Sequence, residues 1–302
     1  MNVFKKRKDL LTLEIMGGLG NQLFQVAALA YLSETQGFTS AIRFSRVSTG
    51  FSPRVFEIPE KMLNLLMPKI ELNHHENSLG LILKKISWNI ESRLQLSIFS
   101  SKYISPVTGF DINLTKKFKK SLLSGYFQTF YYANFLEWRK KFSNFDIHGD
   151  LFEGLRLELM QSEAICMHIR GGDFLLNSSG NGNLSSRYFF EALKVSGSFG
   201  KMVWIFTDDL EYAKNLVAEL PIVAKFVDEE RELSPFETLL LMSNAKQIII
   251  SNSTFAWWGA FLSEFSNIYA PAKWFESKED PALLIPDHWI RVKSLWTNQD
   301  SK

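Results

Sequence analysis

Three ionisable side chains fall within six residues at His168-Ile169-Arg170-Gly171-Gly172-Asp173, directly after the apolar run Ala164–Met167. Alternation along a strand puts His168 and Arg170 on one face. A guanidinium at a strand end can grip a phosphate with two parallel hydrogen bonds. Gly171 and Gly172 let the backbone turn sharply there, and Asp173 can orient Arg170 or act on a hydroxyl. The competing reading is a structural Arg–Asp pair beside a satisfied histidine. The density of ionisable groups after a buried strand favours function.

A second cluster is Ser251-Asn252-Ser253-Thr254-Phe255-Ala256-Trp257-Trp258-Gly259, which follows Ile248-Ile249-Ile250. A strand that ends in small polar residues and turns into a helix presents backbone N–H groups and hydroxyls to an anion. Its plain alternative is a helix cap followed by two buried indoles. A third is Gly17-Gly18-Leu19-Gly20-Asn21-Gln22, where the glycines permit close backbone approach and Asn21 can cap a helix or point into a cleft. The spacing is that of neither a Walker loop nor a dinucleotide fingerprint, and an ordinary tight turn would look the same. The fourth is Thr207-Asp208-Asp209, two adjacent carboxylates after Trp204-Ile205-Phe206. They can accept from ribose or base donors, hold Mg²⁺, or simply cap a helix. No further ligand has metal spacing nearby, so no metal is predicted.

These clusters need elements to position them. Leu10–Ile15 reads as a strand, Asn21–Ser33 as a helix and Gly37 as its stop. In the second half the periodicity predicts strands at Ala164–His168, Met202–Phe206, Ile222–Val227, Gln247–Ile250 and Ile268–Ala270. Helices are predicted at Arg187–Val195, from Asp208-Asp209 through Leu220, at Pro235–Met242 and at Phe255–Leu262. Alternating short apolar strands and helices mean a parallel sheet covered on both faces. In such sheets ligands bind at the carboxyl ends of the strands, which is where every polar cluster lies. Residues 40–120 are the least legible. Ile82, Ile86, Ile90 and Leu94 suggest an amphipathic helix there, with Trp88 packed in the core. The domain boundary is expected near Asn144–Glu153.

A chain of 302 residues with 46% hydrophobic and 22% charged residues is ordinary for a globular protein of one large or two moderate domains. The single Cys166 excludes an intrachain disulfide, sits in a buried strand pattern and is consistent with a reducing compartment. Neither a secretory signal nor an apolar membrane span is read from the sequence. Charge is uneven: residues 1–150 carry 20 Lys and Arg against 12 Asp and Glu, a net of +8, and the remainder is −6. The basic runs Lys116-Lys117-Phe118-Lys119-Lys120 and Arg139-Lys140-Lys141 are solvated faces or contacts for an anionic membrane or a phosphate-linked carrier. The expectation is a cytoplasmic protein, peripheral at the inner face of the membrane, with no nucleic-acid partner.

Taken together, the clusters resemble those of the bacterial α-1,2-fucosyltransferases of glycosyltransferase family 11. The resemblance covers nearly the whole chain. It rests on 17–25, Gly125-Tyr126-Phe127-Gln128, 168–173, Phe206–Asp209, Asn252–Trp258, Tyr269–Phe275 and Ile285–Ile290, in family order. It implies an α/β fold of two Rossmann-like domains facing a cleft (GT-B-like), with 1–150 as the acceptor-side domain and 151–302 as the GDP-sugar-binding domain. It implies inverting transfer of fucose from GDP-L-fucose to the 2-hydroxyl of a galactose-terminated acceptor glycan, with no metal or other cofactor. Arg170 would then bind the diphosphate, aided by Asn252, Ser253, Thr254 and Phe255. Asp208 and Asp209 would lie near the nucleotide, and Gly18, Gly20, Asn21 and Gln22 would face the cleft. Asp173 and His168 are the candidate bases. The family's second arginine is replaced by Gly171, and losing one charge-assisted contact costs about 1.5–3 kcal/mol.

Overall fold

The structure is a computed structural model describing residues 10–44, 55–68, 70–72, 101–147, 149–162, 165–172, 180–227, 229, 232–263 and 267–297. Asp173 and the expected helix around Ile82–Leu94 lie outside them. Two parallel sheets organise the chain. The first contains β1 (Leu10–Ile15), β2 (Thr39–Phe44), β3 (Ile70–Leu72), β4 (Lys102–Ile104) and β5 (Leu122–Ser124), in the order β3-β2-β1-β5-β4. The second contains β6 (Ile165–Ile169), β7 (Met202–Thr207), β8 (Val223–Phe226), β9 (Gln247–Ile249), β10 (Asn267–Pro271) and β11 (Ile290–Val292), in the order β11-β10-β9-β6-β7-β8. Every pairing between these strands is parallel.

The strand orders decide where a site can form. In the first sheet the chain leaves β1 toward β2 and β3 but returns to pair β5 on its other side. In the second it leaves β6 toward β7 and β8 and returns to place β9 on the other side. Adjacent strands whose connections depart in opposite directions leave a crevice at their carboxyl ends. The β1/β5 crevice is bordered by Gly17–Gln22 and Gly125–Gln128. The β6/β9 crevice is bordered by His168–Gly172 and Ser251–Phe255.

Helix α1 (Leu19–Gln36) follows β1. Thirteen of its residues are buried, and it stops at Gly37, whose φ of 75° is the left-handed cap a glycine takes readily. Strand β6 is buried along its whole length. Ile165, Met167 and Ile169 face a cluster with Tyr188, Phe189 and Leu193, on the helix Ser186–Ser196. Cys166 belongs instead to the larger core, which includes Leu13 and Phe24 from the first half and Trp257 and Trp258 from the second. That core therefore runs without a break between the two sheets.

The junction is aromatic. The helix Thr254–Leu262 after β9 carries Trp257 and Trp258, both 0% exposed. The ring of Phe24 on α1 lies 4.6 Å from Trp257 and 5.0 Å from Trp258. Trp138, on the short helix Trp138–Ser143, lies 5.7 Å from Trp258. Trp257 Nε1 donates to the Leu284 carbonyl at 2.8 Å. The stretch around Leu283 also returns to the first half, where its carbonyl accepts from Thr129 Oγ1 and Phe130 N, both at 2.9 Å. The two indoles are buried, as the plain alternative for this run had it, and their location between the sheets supplies the reason.

Candidate active site

The carboxyl end of β6 is fixed by the two carboxylates that follow β7. Arg170 Nη1 lies 2.6 Å from Asp208 Oδ2. Asp208 Oδ1 accepts from Gly171 N at 2.9 Å, and Asp209 Oδ2 accepts from Gly172 N at 3.3 Å. Asp209 also caps the helix Leu210–Val217, its Oδ1 accepting from Tyr212 N at 3.1 Å. One pair of adjacent aspartates thus clamps the turn, starts the helix and aims the guanidinium. The capping role was open from sequence, and Asp209 takes it; the sequence offered Asp173 as the partner that orients Arg170, whereas Asp208 is the carboxylate paired with it here.

Arg170 keeps 19% side-chain exposure, so its charge is half-buried at the crevice and not solvated away from it. His168, one strand repeat earlier, is 3% exposed. Its Nδ1 is hydrogen-bonded to Ser251 Oγ at 2.9 Å, and its ring lies 5.6 Å from that of Phe255. Burial, reinforced by the Arg170 charge, pushes the imidazole pKa down to about 3. A group so depressed is neutral at physiological pH and a weak proton acceptor. Of the two candidate bases, Asp173 and His168, the histidine is therefore not favoured by its surroundings; it joins β6 to the start of the helix after β9.

That helix begins beside His168 for this reason. Ser253 occupies its N-cap with extended backbone and no side-chain cap bond. Ser251, Asn252 and Ser253 are buried, while Thr254 and Phe255 keep partial exposure. Asn252 is spent on structure: its Nδ2 donates to the Asn181 and Gly182 carbonyls at 3.1 and 3.0 Å, holding the segment that leads to Ser185.

The first sheet presents its own crevice to the same place. Gly18 is the N-cap of α1. A Cβ added to Gly20 would lie 2.4 Å from the Thr254 carbonyl carbon and 2.5 Å from Phe255 N, so the first turns of the two helices touch through bare backbone. Asn21 keeps partial exposure, and its Oδ1 accepts from Gln128 Nε2 at 2.9 Å. Gln22 departs from expectation. It is 1% exposed, and its amide donates to the Gly17 and Val55 carbonyls and accepts from Glu57 N. It secures the segment near 55–57 and does not face the cleft.

Gly18, Gly20, Asn21, His168, Arg170, Asp208, Asp209, Ser253, Thr254 and Phe255 are thus gathered at the facing strand ends. Gln128 and Ser251 belong with them although neither was singled out from its residue type. Gln128 lies in one of the matched segments and Ser251 opens the polar run, which are the signals that point to them. Cys166 is fully buried and burial raises its thiol pKa, which makes it inert. Among the described residues no group of three or more His, Cys, Asp and Glu side chains is arranged to hold a metal ion.

The model of the family described as Glycosyl transferase family 11 matches residues 2–284. The chain belongs to glycosyltransferase family 11. Two relatives from Escherichia coli agree with this. The O-antigen biosynthesis glycosyltransferase WbnK is 27% identical over 305 residues, covering 92% of this chain and 99% of its own. An alpha-1,2-colitosyltransferase is 27% identical over 309 residues, covering 94% and 99%. Among solved structures, a mutant of Arabidopsis thaliana FUT1 in complex with GDP superposes with a TM-score of 0.51 at 11% identity, covering 94% of this chain and 73% of that one. The last likeness concerns the fold alone. The family 11 protein is a glycosyltransferase with two parallel-sheet units of the GT-B kind.

Proposed function

We propose that this glycosyltransferase moves L-fucose from GDP-L-fucose to the 2-hydroxyl of a galactoside, with inversion and without a metal ion. The observation that carries the reading is the placement of Arg170 at the carboxyl end of β6, held by Asp208 and one strand repeat beyond His168, which bonds Ser251 and packs on Phe255 at the start of the helix Thr254–Leu262. A leaving GDP gains negative charge as the glycosidic bond breaks. A pre-aimed guanidinium and the first N–H groups of a helix are the donors that stabilise such charge without rearrangement. Ser253 and Thr254 would contribute to the same cradle, and Asn21 would border the sugar from the opposite sheet. Asp173 remains the candidate for deprotonating the acceptor, since His168 is neutral, buried and a weak base.

A second reading has a specific motive, because one relative is an alpha-1,2-colitosyltransferase. A donor carrying colitose would use the same diphosphate grip and differ only at the sugar. Both readings are tested by measuring GDP release from GDP-L-fucose in EDTA, with and without lactose, and by assigning the product linkage by NMR. Acceptor-dependent release with a new α-1,2 linkage supports the proposal. Release from a colitosyl donor alone would move the assignment to the second reading, and release that requires a divalent cation would refute the metal-free mechanism.

A further inference from the structure

At the end of the first sheet opposite the active site, a cavity of about 940 Å³ opens among Lys116, Lys117, Lys119, Lys120, Tyr31 and Phe38. Leu10 at the start of β1 borders it, whereas the glycine turn follows the end of β1. About 20 Å of strand therefore separates the two places. Among the described residues no Asp or Glu lines it.

The lysine loop is held in shape. Gln36, at the end of α1, donates through Nε2 to the Leu114 and Lys116 carbonyls at 3.0 and 2.9 Å, and its Oε1 accepts from Phe118 N at 2.7 Å. Phe118 is buried with its ring 6.2 Å from Phe38 and 5.4 Å from Tyr103, anchoring the middle of the run. Lys116, Lys117 and Lys119 on either side are exposed. Apolar groups stand beside them. Ile112, in the turn Ile112–Thr115 just before the lysines, is 54% exposed. Phe135 is 51% exposed and its ring lies 5.0 Å from that of Tyr31 in the cavity wall.

We infer that this lysine-lined face docks on an anionic lipid bilayer, with phosphate headgroups seated among the lysines and Ile112 and Phe135 entering the headgroup boundary. Charge complementarity argues for the occupant: residues 1–150 carry a net +8 whereas residues 151–302 are −6, so an anionic surface attracts this half. Exposed apolar side chains beside the cations match an interfacial layer, which offers both phosphates and acyl chains. A free phosphate would use the lysines and ignore the apolar pair. The inference does not depend on which sugar the enzyme transfers.

The test is flotation of the full chain with phosphatidylcholine vesicles, with and without phosphatidylglycerol. Binding is expected only with the anionic lipid, weakening as salt rises. Removing Lys116, Lys117 and Lys119 together as alanines should weaken it about fivefold per lysine, on the order of a hundredfold in all. The Lys→Arg triple variant should retain binding, and circular dichroism with GDP release should show both variants folded and active. Ile112→Ser with Phe135→Ser should lower binding further. Equal binding to neutral vesicles, or an alanine triple that floats like the parent, overturns the inference. So does binding confined to inorganic phosphate, which would make the cavity a soluble-anion site.

Discussion

Gly20 on α1 lies against the backbone of Thr254 at the start of the helix after β9, so closely that a methyl group at Gly20 would sit 2.4 Å from the Thr254 carbonyl carbon. Two crevices formed by different sheets become one site because these two helix starts meet with no side chain between them. Gly20→Ala gains helix propensity but forces the helices apart. The expected result is a net loss of about 1–3 kcal/mol in denaturant unfolding and a drop in turnover larger than the stability loss explains. A variant with parental midpoint and rate would show that the contact is not needed.

The Gln128–Asn21 hydrogen bond spans the crevice between β1 and β5, and the other amide atom, Gln128 Oε1, is buried without a protein partner. Gln128→Glu keeps the shape but replaces the donor with an acceptor facing Asn21 Oδ1. It should lower kcat/KM about tenfold or more, with the loss mainly in acceptor KM if Asn21 borders the sugars. Unchanged steady-state kinetics would remove Gln128 from the site.

Arg170→Ala should lower kcat/KM by about 10²–10³, the cost of removing one donor to developing charge. Asp208→Asn keeps an acceptor for Gly171 N but takes away the charge that aims the guanidinium, so a milder fall of about tenfold is expected. GDP affinity measured alongside should weaken in the arginine variant. Retention of most activity by Arg170→Ala would refute its assignment to the diphosphate.

Restoring the arginine that the family resemblance leads one to expect at Gly171 is not a simple gain. A Cβ there would lie 2.6 Å from Asp209 Cβ and 3.0 Å from Tyr212 Cδ1. Gly171→Arg should therefore destabilise the fold by about 1–3 kcal/mol, and donor affinity should not improve. A variant that melts at the parental temperature with tighter GDP binding would show that Asp209 and Tyr212 yield readily.

The pH dependence of stability carries the mark of His168. Its pKa in the folded protein is depressed to about 3 from an ordinary 6.5, so the unfolded chain takes up the proton first. Its stabilising effect is complete above about pH 6.5 and is lost as pH falls toward 3, on the order of 1 kcal/mol per pH unit. Chemical denaturation across that window should show this slope, and the slope should shrink in His168→Gln. An identical profile in the variant would mean that the imidazole is not held neutral.

The sequence by itself determined the strand and helix alternation of the second half, because short apolar strands and capped helices are local patterns. Most predicted boundaries there lie within a residue or two of those observed, as with Met202–Phe206 against Met202–Thr207 and Gln247–Ile250 against Gln247–Ile249. The helix after Asp208-Asp209 was read through Leu220 but ends at Val217. The polar clusters at strand ends were legible for the same local reason. The strands β2, β3, β4, β5 and β11 were not legible; of the three-residue strands only β9 was, because it lies in the apolar run Ile248–Ile250, whereas so few residues elsewhere show no pattern. What only the tertiary structure decided is strand order, and with it which strand ends lie side by side. No local pattern could show that Gln128 reaches Asn21, that Gln22 turns inward, or that His168 is joined to Ser251 and so buried neutral. Each of those depends on elements brought together from distant parts of the chain, and burial and partner choice are properties of that assembly.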